Sequence, residues 1–376
     1  MNLAAIVEPH PEEAPALYDG ARTVTYGRLR TLVAEARRAL VGLGVVPGDR
    51  VALALPNDSL FVVGYLAVLG IGAIAVPLNP EAPEAELEAE LEAVGAKLSI
   101  AAGRDAGTAR AFDRSGAVVE RVIVIDAPPG EGEPSGHGGA DAPVPILERA
   151  ASDTAVLIFT AGTAGAPKAA VLTHGNLLAN LEQVQLHPGR AVQAGDVALG
   201  VLPLFHIFGL NVMLGLSLYA GASLVLVERF DPASTLETAR AYGVTLLAGA
   251  PPMFAAWAEL RRATGDELAS VRLAVSGASA LPTEVADAFE ARFGVPLWQG
   301  YGLTEAAPVV TSAGRADAPD TARRTLASSS PLAPRSSAQA ANMGGAPASR
   351  VTPWARTVSS VDAGSKRSTS TSAAPA

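Results

Sequence analysis

The chain has 376 residues, with 28 basic and 37 acidic side chains for a formal net charge of −9, and 49% of it is hydrophobic. That is enough apolar chain for more than one domain-sized core. The absence of cysteine excludes a thiol nucleophile, a Cys-ligated metal, a disulfide framework and a thioester carried on the chain itself.

The first residues, MNLAAIVEPHPEEAP, contain neither a basic segment nor a long apolar stretch, so no signal peptide is expected. Thr25 is a candidate helix cap, and Leu29, Leu32, Val33, Ala36, Leu40 and Leu43 repeat at helical spacing after it until Gly44. Pro47-Gly48-Asp49 is a turn, Arg50 to Leu55 reads as a buried strand, and a helix is predicted from Asp58 to Leu69. The apolar run Leu60 to Val76 is too short and too broken by glycine for a membrane span, and the expectation is a cytoplasmic protein. A strand at Ala73–Val76, a helix from about Pro83 and strands at Lys97–Ala101 and Arg121–Ile125 complete a βαβ succession.

Pro128 to Pro145 is rich in Pro and Gly and reads as a loop between structural units. Beyond it, strands are predicted at Ala155–Thr160, Ala169–Leu172, Val197–Leu202, Ala222–Val227, Val244–Ala248 and Arg272–Val275. Helices are predicted at Gly175–Leu186, Phe208–Leu218, Pro232–Ala241, Pro252–Arg261 and Pro282–Phe293. The fold class is α/β: two packed α/β units at 1–126 and 147–314, a flexible loop at 127–146, and a separate segment at 315–376. That last segment holds eight basic and three acidic residues, net +5, which leaves 20 basic and 34 acidic residues, net −14, in 1–314. Its fifteen Ala and twelve Ser against six Leu, Ile, Val or Met offer too little apolar surface to offset the entropy of ordering. It reads as a low-complexity, disordered end or, being basic, as a nucleic-acid arm. The acidic body lacks the positive footprint of a nucleic-acid binder.

The segment with the clearest chemistry is Phe159-Thr160-Ala161-Gly162-Thr163-Ala164-Gly165-Ala166-Pro167-Lys168. A strand enters a loop of hydroxyls and glycines that ends in one of only three lysines, the others being Lys97 and Lys366. Glycines let backbone amides converge on phosphate oxygens, and hydroxyls and a lysine add hydrogen bonds and charge. Taken alone, this is either a phosphate loop or an ordinary Gly/Ala turn. It is not the Gly-Lys-Ser/Thr loop of nucleotide triphosphatases, since Pro167 precedes the lysine and a strand follows.

Thr160 to His174, TAGTAGAPKAAVLTH, resembles the phosphate-loop signature of the AMP-forming adenylating enzymes, which include acyl-CoA synthetases, luciferases and adenylation domains. Four further segments match in that family's order: Thr25-Tyr26 with Pro47–Val51 and Pro56-Asn57; Leu202–His206 with Gly209; Ser276–Leu281; and Tyr301-Gly302-Leu303-Thr304-Glu305. The resemblance implies ATP-dependent activation of a carboxylic acid, a fatty acid above all, to an acyl-adenylate and then to an acyl-CoA. ATP, Mg²⁺ and coenzyme A are the implied cofactor and cosubstrates, with an acyl carrier protein as the alternative acceptor. A non-catalytic nucleotide- or acyl-binding protein is the competing reading.

By the same resemblance, Thr160, Gly162, Thr163, Gly165 and Lys168 close over the β- and γ-phosphates. Gly277, Ala278, Ser279 and Tyr301 flank the adenine, Thr304 contacts the α-phosphate, and Glu305 holds Mg²⁺. Lys168, His206, Thr304 and Glu305 form the candidate catalytic set, with His206 near the substrate carboxylate rather than assigned as a general base. Ala161 and Ala164 stand where the family commonly has hydroxyl residues, and Ala169 where it has glycine. Without the resemblance, Thr304-Glu305 would read as a solvated helix start, and Tyr301 and His206 as core residues. Val212, Met213, Met253, Phe254 and Trp257 line an acyl pocket or belong to the core. The family continues beyond the Tyr-Gly-Leu-Thr-Glu motif with a ribose-binding aspartate, a hinge and a C-terminal domain, and nothing after Gly314 matches them. The expectation is a family member whose closing domain is absent, with impaired or lost turnover and a terminal segment in a shifted reading frame.

Overall fold

The structure is a computed structural model that describes residues 1–102, 121–125, 143–160, 167–187, 191–313 and 359–360. Helix starts follow local capping chemistry. Thr25 Oγ1 accepts the Arg28 N–H at the head of α1 (Tyr26–Gly42), and Asp58 accepts the Phe61 N–H at the head of α2 (Ser59–Gly70). α3 (Glu84–Val94) begins with Glu84 and Glu86, which favour the positive end of the helix dipole, and ends at Gly95 in the left-handed region. Arg50 covers that end, its guanidinium donating to Val94 O at 2.9 Å and Gly95 O at 2.5 Å. Thr173 and Asn176 form a reciprocal capping box at α4 (His174–Gln185).

The remaining helices are α5 (Leu216–Ala220), α6 (Pro232–Ala241), α7 (Pro251–Glu259) and α8 (Thr283–Phe293). The helix predicted over Phe208–Leu218 opens instead with a π-helical stretch, Phe208–Gly215, before α5. Wider π turns of this kind commonly mark functional positions.

The strands are β1 (Pro15–Asp19), β2 (Arg22–Thr25), β3 (Arg50–Ala54), β4 (Ile74–Pro77), β5 (Leu98–Ala102), β6 (Arg121–Ile125), β7 (Thr154–Thr160), β8 (Lys168–Thr173), β9 (Val197–Gly200), β10 (Ser223–Leu226), β11 (Leu246–Gly249), β12 (Leu273–Ser276), β13 (Leu297–Gly302), β14 (Val309–Ala313) and β15 (Ser359–Ser360). They form two sheets: β14-β13-β12-β11-β9-β10-β1-β2, and β15-β6-β5-β3-β4-β7-β8. Each sheet is parallel inside and closed by antiparallel outer strands. The two α/β units are present, but the sheets do not follow the order of the chain. β1 and β2 join the sheet built mainly from residues after 190, while β7 and β8 complete the sheet built from β3 to β6.

α2 is buried along its whole length, as an apolar helix without a polar face must be. It shares one apolar cluster with Leu53, Ile100 and Ile158 of one sheet and Leu17 and Leu224 of the other. Among the described residues, no helix is long and apolar enough to cross a membrane.

At the head of α2, Asp58 is half-buried, and desolvation by burial, helped by Asp19 and Glu228, pushes its carboxyl up to about 6 against the pull of the Phe61 cap bond. A carboxyl raised above its unfolded value binds more protons folded than unfolded, so its contribution falls as pH rises from about 4 to about 6. Asn caps as well as Asp and carries no charge. Asp58→Asn is therefore expected to raise stability at pH 7 by on the order of 1 kcal/mol, with no gain at pH 4. Urea midpoints of both proteins across that range measure it. His174, fully buried and lowered to about 4 by desolvation, has the opposite slope in both proteins and cancels in the difference.

At the amino ends of β9, β11 and β12, Asp196 accepts hydrogen bonds from Arg272 Nε at 2.8 Å, Thr245 Oγ1 at 2.8 Å and the Gln193 N–H at 2.7 Å. Burial would raise the Asp196 carboxyl, but these bonds, Arg272 foremost, outweigh it and hold the group below the usual carboxylate range. Arg272→Ala leaves a carboxylate that is 5% exposed without its cation. The expected loss is about 3 kcal/mol by chemical denaturation, and a loss under about 1 kcal/mol would show that solvent already screens the pair.

Candidate nucleotide and acyl-activation site

Ligands of open parallel sheets bind outside the carboxyl ends of the strands, where the strand order reverses. In the first sheet that reversal lies between β9 and β11, since β9 connects to β10 on one side while β11 sits on the other. The segments leaving these carboxyl ends are Val201–His206 after β9, Gly277–Ser279 after β12 and Leu303–Glu305 after β13. Three of the sequence-predicted motifs thus emerge side by side from one sheet edge. They are separated in sequence and joined by parallel registers such as Gly249↔Ser276 and Ser276↔Gln299.

The phosphate-loop candidate comes from the other sheet. Thr160 and Lys168 are Cα partners across the β7–β8 hairpin, and the Thr160 hydroxyl donates to Lys168 O at 3.4 Å. β8 packs against the turn Thr304–Ala306 that follows β13, so a strand of the second sheet meets the Tyr-Gly-Leu-Thr-Glu turn of the first. Lys168 is exposed, and Gly162, Thr163 and Gly165 lie outside the described residues.

Around the sheet edge the chain is closely packed. A Cβ on Gly277 would lie 2.8 Å from the Phe208 ring, and one on Gly209 would lie 2.2 Å from Pro203 O. Both positions bring the π-helical stretch against neighbouring backbone. Ala278 has φ +68°, a left-handed conformation uncommon for a residue with a Cβ, and Ser279 beside it is exposed. Asn57, 8% exposed, donates to Leu202 O at 2.8 Å and accepts the Leu204 N–H at 2.9 Å, which fixes the turn leading to His206.

His206 Nδ1 accepts the Phe208 N–H at 3.2 Å, and desolvation lowers its pKa below the ordinary imidazole value. Both effects favour a neutral ring with its proton on Nε2. Tyr301 is 55% exposed, so it is not a core aromatic. Thr304 is half-buried and Glu305 exposed, and neither side chain has a hydrogen bond or ion pair within the described residues.

The structure separates the proposed acyl-pocket set. Phe254 and Trp257 are fully buried and pack edge-on to each other and to Phe289 and Phe230, while the Trp257 indole N–H donates to Thr235 Oγ1 at 3.1 Å. They are core, as is Met213 at 4% exposure, whereas Val212 and Met253 are half-buried.

No group of three or more His, Asp or Glu side chains among the described residues is arranged to hold a metal. An unpaired Glu305 fits Mg²⁺ nonetheless, because that ion commonly takes one or two carboxylates, keeps several waters and completes its shell with phosphate oxygens. Sequence reading missed Asn180 and Asn211, both buried beside this turn. Their signal, a polar residue on the apolar face of a predicted helix, is not specific to function.

Residues 3–340 match the family described as AMP-binding enzyme. The chain is 35% identical over 322 residues to a rice (Oryza sativa subsp. japonica) protein, 4-coumarate–CoA ligase 2, across 80% of this chain and 56% of that protein. It is 34% identical over 312 residues to feruloyl-CoA synthase from an Amycolatopsis species, across 83% of this chain and 60% of the relative. The structure of the anthranilate CoA ligase AuaEII in complex with anthranoyl-AMP superposes with a TM-score of 0.77 at 26% identity, covering 84% of this chain and 62% of that one. The chain spans little more than half the length of these relatives. With its motifs in order at one sheet edge and its length so matched, the chain belongs to the family of AMP-binding enzymes.

Proposed function

We propose that this chain binds ATP and activates a carboxylic acid as its acyl-adenylate, and that coenzyme A then takes the acyl group. The observation that carries this reading is the packing of β8, whose first residue is Lys168, against the Thr304–Ala306 turn, with the Lys168, Thr304 and Glu305 side chains free of partners within the described residues. In the first step a carboxylate oxygen attacks the α-phosphorus, the bond to the bridging oxygen breaks, and pyrophosphate leaves. In the second, the thiol sulfur attacks the acyl carbon, AMP departs, and the thiol proton passes to solvent.

Lys168 and the Thr160 hairpin neutralise and orient the polyphosphate, with Gly162, Thr163 and Gly165 supplying backbone and hydroxyl donors. Thr304 donates to the α-phosphate, and Glu305 would hold Mg²⁺, which when bound would supply charge neutralisation for the polyphosphate. Gly277, Ala278 and Ser279 form a small-residue wall beside the adenine, with Tyr301 stacked on it. A neutral His206 borders the acyl end and offers its Nε2–H.

The relatives narrow the acid. A hydroxycinnamic acid stands ahead of the fatty acid that the resemblance first implied, since coumarate and feruloyl stand in the names of the similar proteins. Pyrophosphate release across hydroxycinnamic, benzoic and fatty acids tests the adenylation, with loss of free coenzyme A measured alongside. Acid-dependent release of pyrophosphate supports the reading. Absence of both release and ATP binding overturns it, and transfer to a phosphopantetheinylated carrier instead of coenzyme A would reassign the acceptor.

A further inference from the structure

We propose that Asn180 and Asn211 are positioning residues that hold the Thr304–Glu305 turn in place against the strand bearing Lys168. The functional consequence rests on the adenylating reading above, while the structural claim rests on hydrogen bonds alone.

The turn between β13 and β14 is closed by three backbone bonds: Leu303 N–H to Pro308 O at 3.0 Å, Ala306 N–H to Leu303 O at 2.9 Å and Ala307 N–H to Thr304 O at 3.2 Å. Within it Ala307 has φ +67°, a left-handed conformation that its Cβ disfavours. Such backbone persists only where the surroundings hold it.

Two buried amides do so. Asn180, 4% exposed, donates from Nδ2 to Val309 O at 2.9 Å and accepts the Val309 N–H at Oδ1 at 3.3 Å, as a paired strand residue would. Asn211, 1% exposed, donates to Ala307 O at 2.9 Å and to Leu177 O at 3.4 Å. Asn180 and Leu177 both lie on α4, which starts where β8 ends, and β8 begins at Lys168. Asn211 lies in the π-helical stretch that follows His206. Two side chains therefore tie together the segments carrying Lys168, His206 and Thr304–Glu305.

Stability alone does not account for Asn211. Its Oδ1 is buried with no donor, an arrangement that costs free energy and that a leucine of similar size would avoid. What leucine could not provide is the bond to Ala307 O, which fixes the residue that closes the Thr304 turn.

The full chain and its Asn180→Leu, Asn211→Leu and Asn180→Ala variants test this by amide hydrogen exchange and by calorimetric binding of two ligands, MgATP and adenosine. Asn180→Ala removes both bonds to Val309 without adding bulk or charge, and covers the case in which a leucine variant does not fold. Exchange is expected to rise about tenfold at Leu303, Ala306, Ala307 and Val309 and to stay unchanged in the β9–β12 core, the equivalent of one lost hydrogen bond. MgATP is expected to bind about tenfold more weakly, with adenosine affinity retained, because adenosine reaches the Gly277–Ser279 wall but not Thr304 and Glu305. Asn180→Ala is expected to loosen the turn as Asn180→Leu does.

Equal weakening of both ligands would mark a merely structural role and overturn the proposal, as would unchanged exchange in the turn. A wild-type chain that binds neither ligand would overturn the adenylating reading, and the exchange result would still decide whether the amides hold the turn.

Discussion

Glu305→Gln is expected to lower ATP- and acid-dependent pyrophosphate release by about 10²–10³-fold while leaving adenosine affinity intact. The carboxylate is exposed on a short turn whose backbone is closed by its own hydrogen bonds, so removing its charge should not disturb the fold. It makes no ion pair within the described residues, and no cluster of three metal-binding side chains stands elsewhere among them to take its place. Mg²⁺ at such a site depends on this one charge and on the phosphate oxygens it neutralises. Glutamine keeps the size and one acceptor oxygen but loses the charge, so the cost should fall on the step in which pyrophosphate departs. Steady-state release at saturating Mg²⁺ and ATP measures it. A variant within threefold of the wild type would remove Glu305 from the metal's surroundings.

Trp257→Ala is expected to destabilise the chain by about 3–5 kcal/mol, in the range for deleting a buried aromatic. The indole is fully buried, meets Phe230 and Phe254 edge-on, and donates to a Thr235 hydroxyl on a residue that is itself 1% exposed. Truncation leaves a cavity in the cluster under the first sheet and removes one of the two hydrogen bonds of the Thr235 hydroxyl, which still donates to Asp231 O at 2.5 Å. Trp257→Phe should lose less, keeping the ring contacts but not the hydrogen bond. Denaturant midpoints for both variants, with the acid preference of the folded fraction measured in parallel, separate core from pocket. A shift in substrate preference without loss of stability would restore Trp257 to the acyl site.

Trp257 also shows where sequence reading stops. Met253, Phe254 and Trp257 recur at helical spacing, and that pattern is the same whether the buried face of α7 meets other side chains or a ligand. Only the neighbours Phe289 and Phe293, brought in by α8, make it core. The β1–β2 hairpin had a local signal in Asp19-Gly20, flanked by Leu17, Tyr18, Thr23 and Val24, yet the prolines before it obscured the strand pattern. β13 was missed because its glycines read as motif rather than strand. They belong to both, since the motif is the strand's carboxyl end turning into the Thr304 loop.

The sequence alone determined the α/β class and most helix and strand positions, which depend on periodicity, capping and short spacings that act within a few residues. The identity and order of the candidate nucleotide motifs came from their resemblance to the adenylating-enzyme family. The tertiary structure alone decided which sheet each strand joins. β1 pairs with β10 and β4 with β7 across long stretches of chain, and parallel pairing carries no local mark of its partner. The same non-local pairing brings separate motifs to one sheet edge, because Gly277–Ser279 and Leu303–Glu305 leave adjacent strands only when β12 lies beside β13. The amides of Asn180 and Asn211 became visible last. A buried asparagine is only an anomaly in a sequence until the backbone atoms it satisfies, those of Ala307 and Val309, are folded against it.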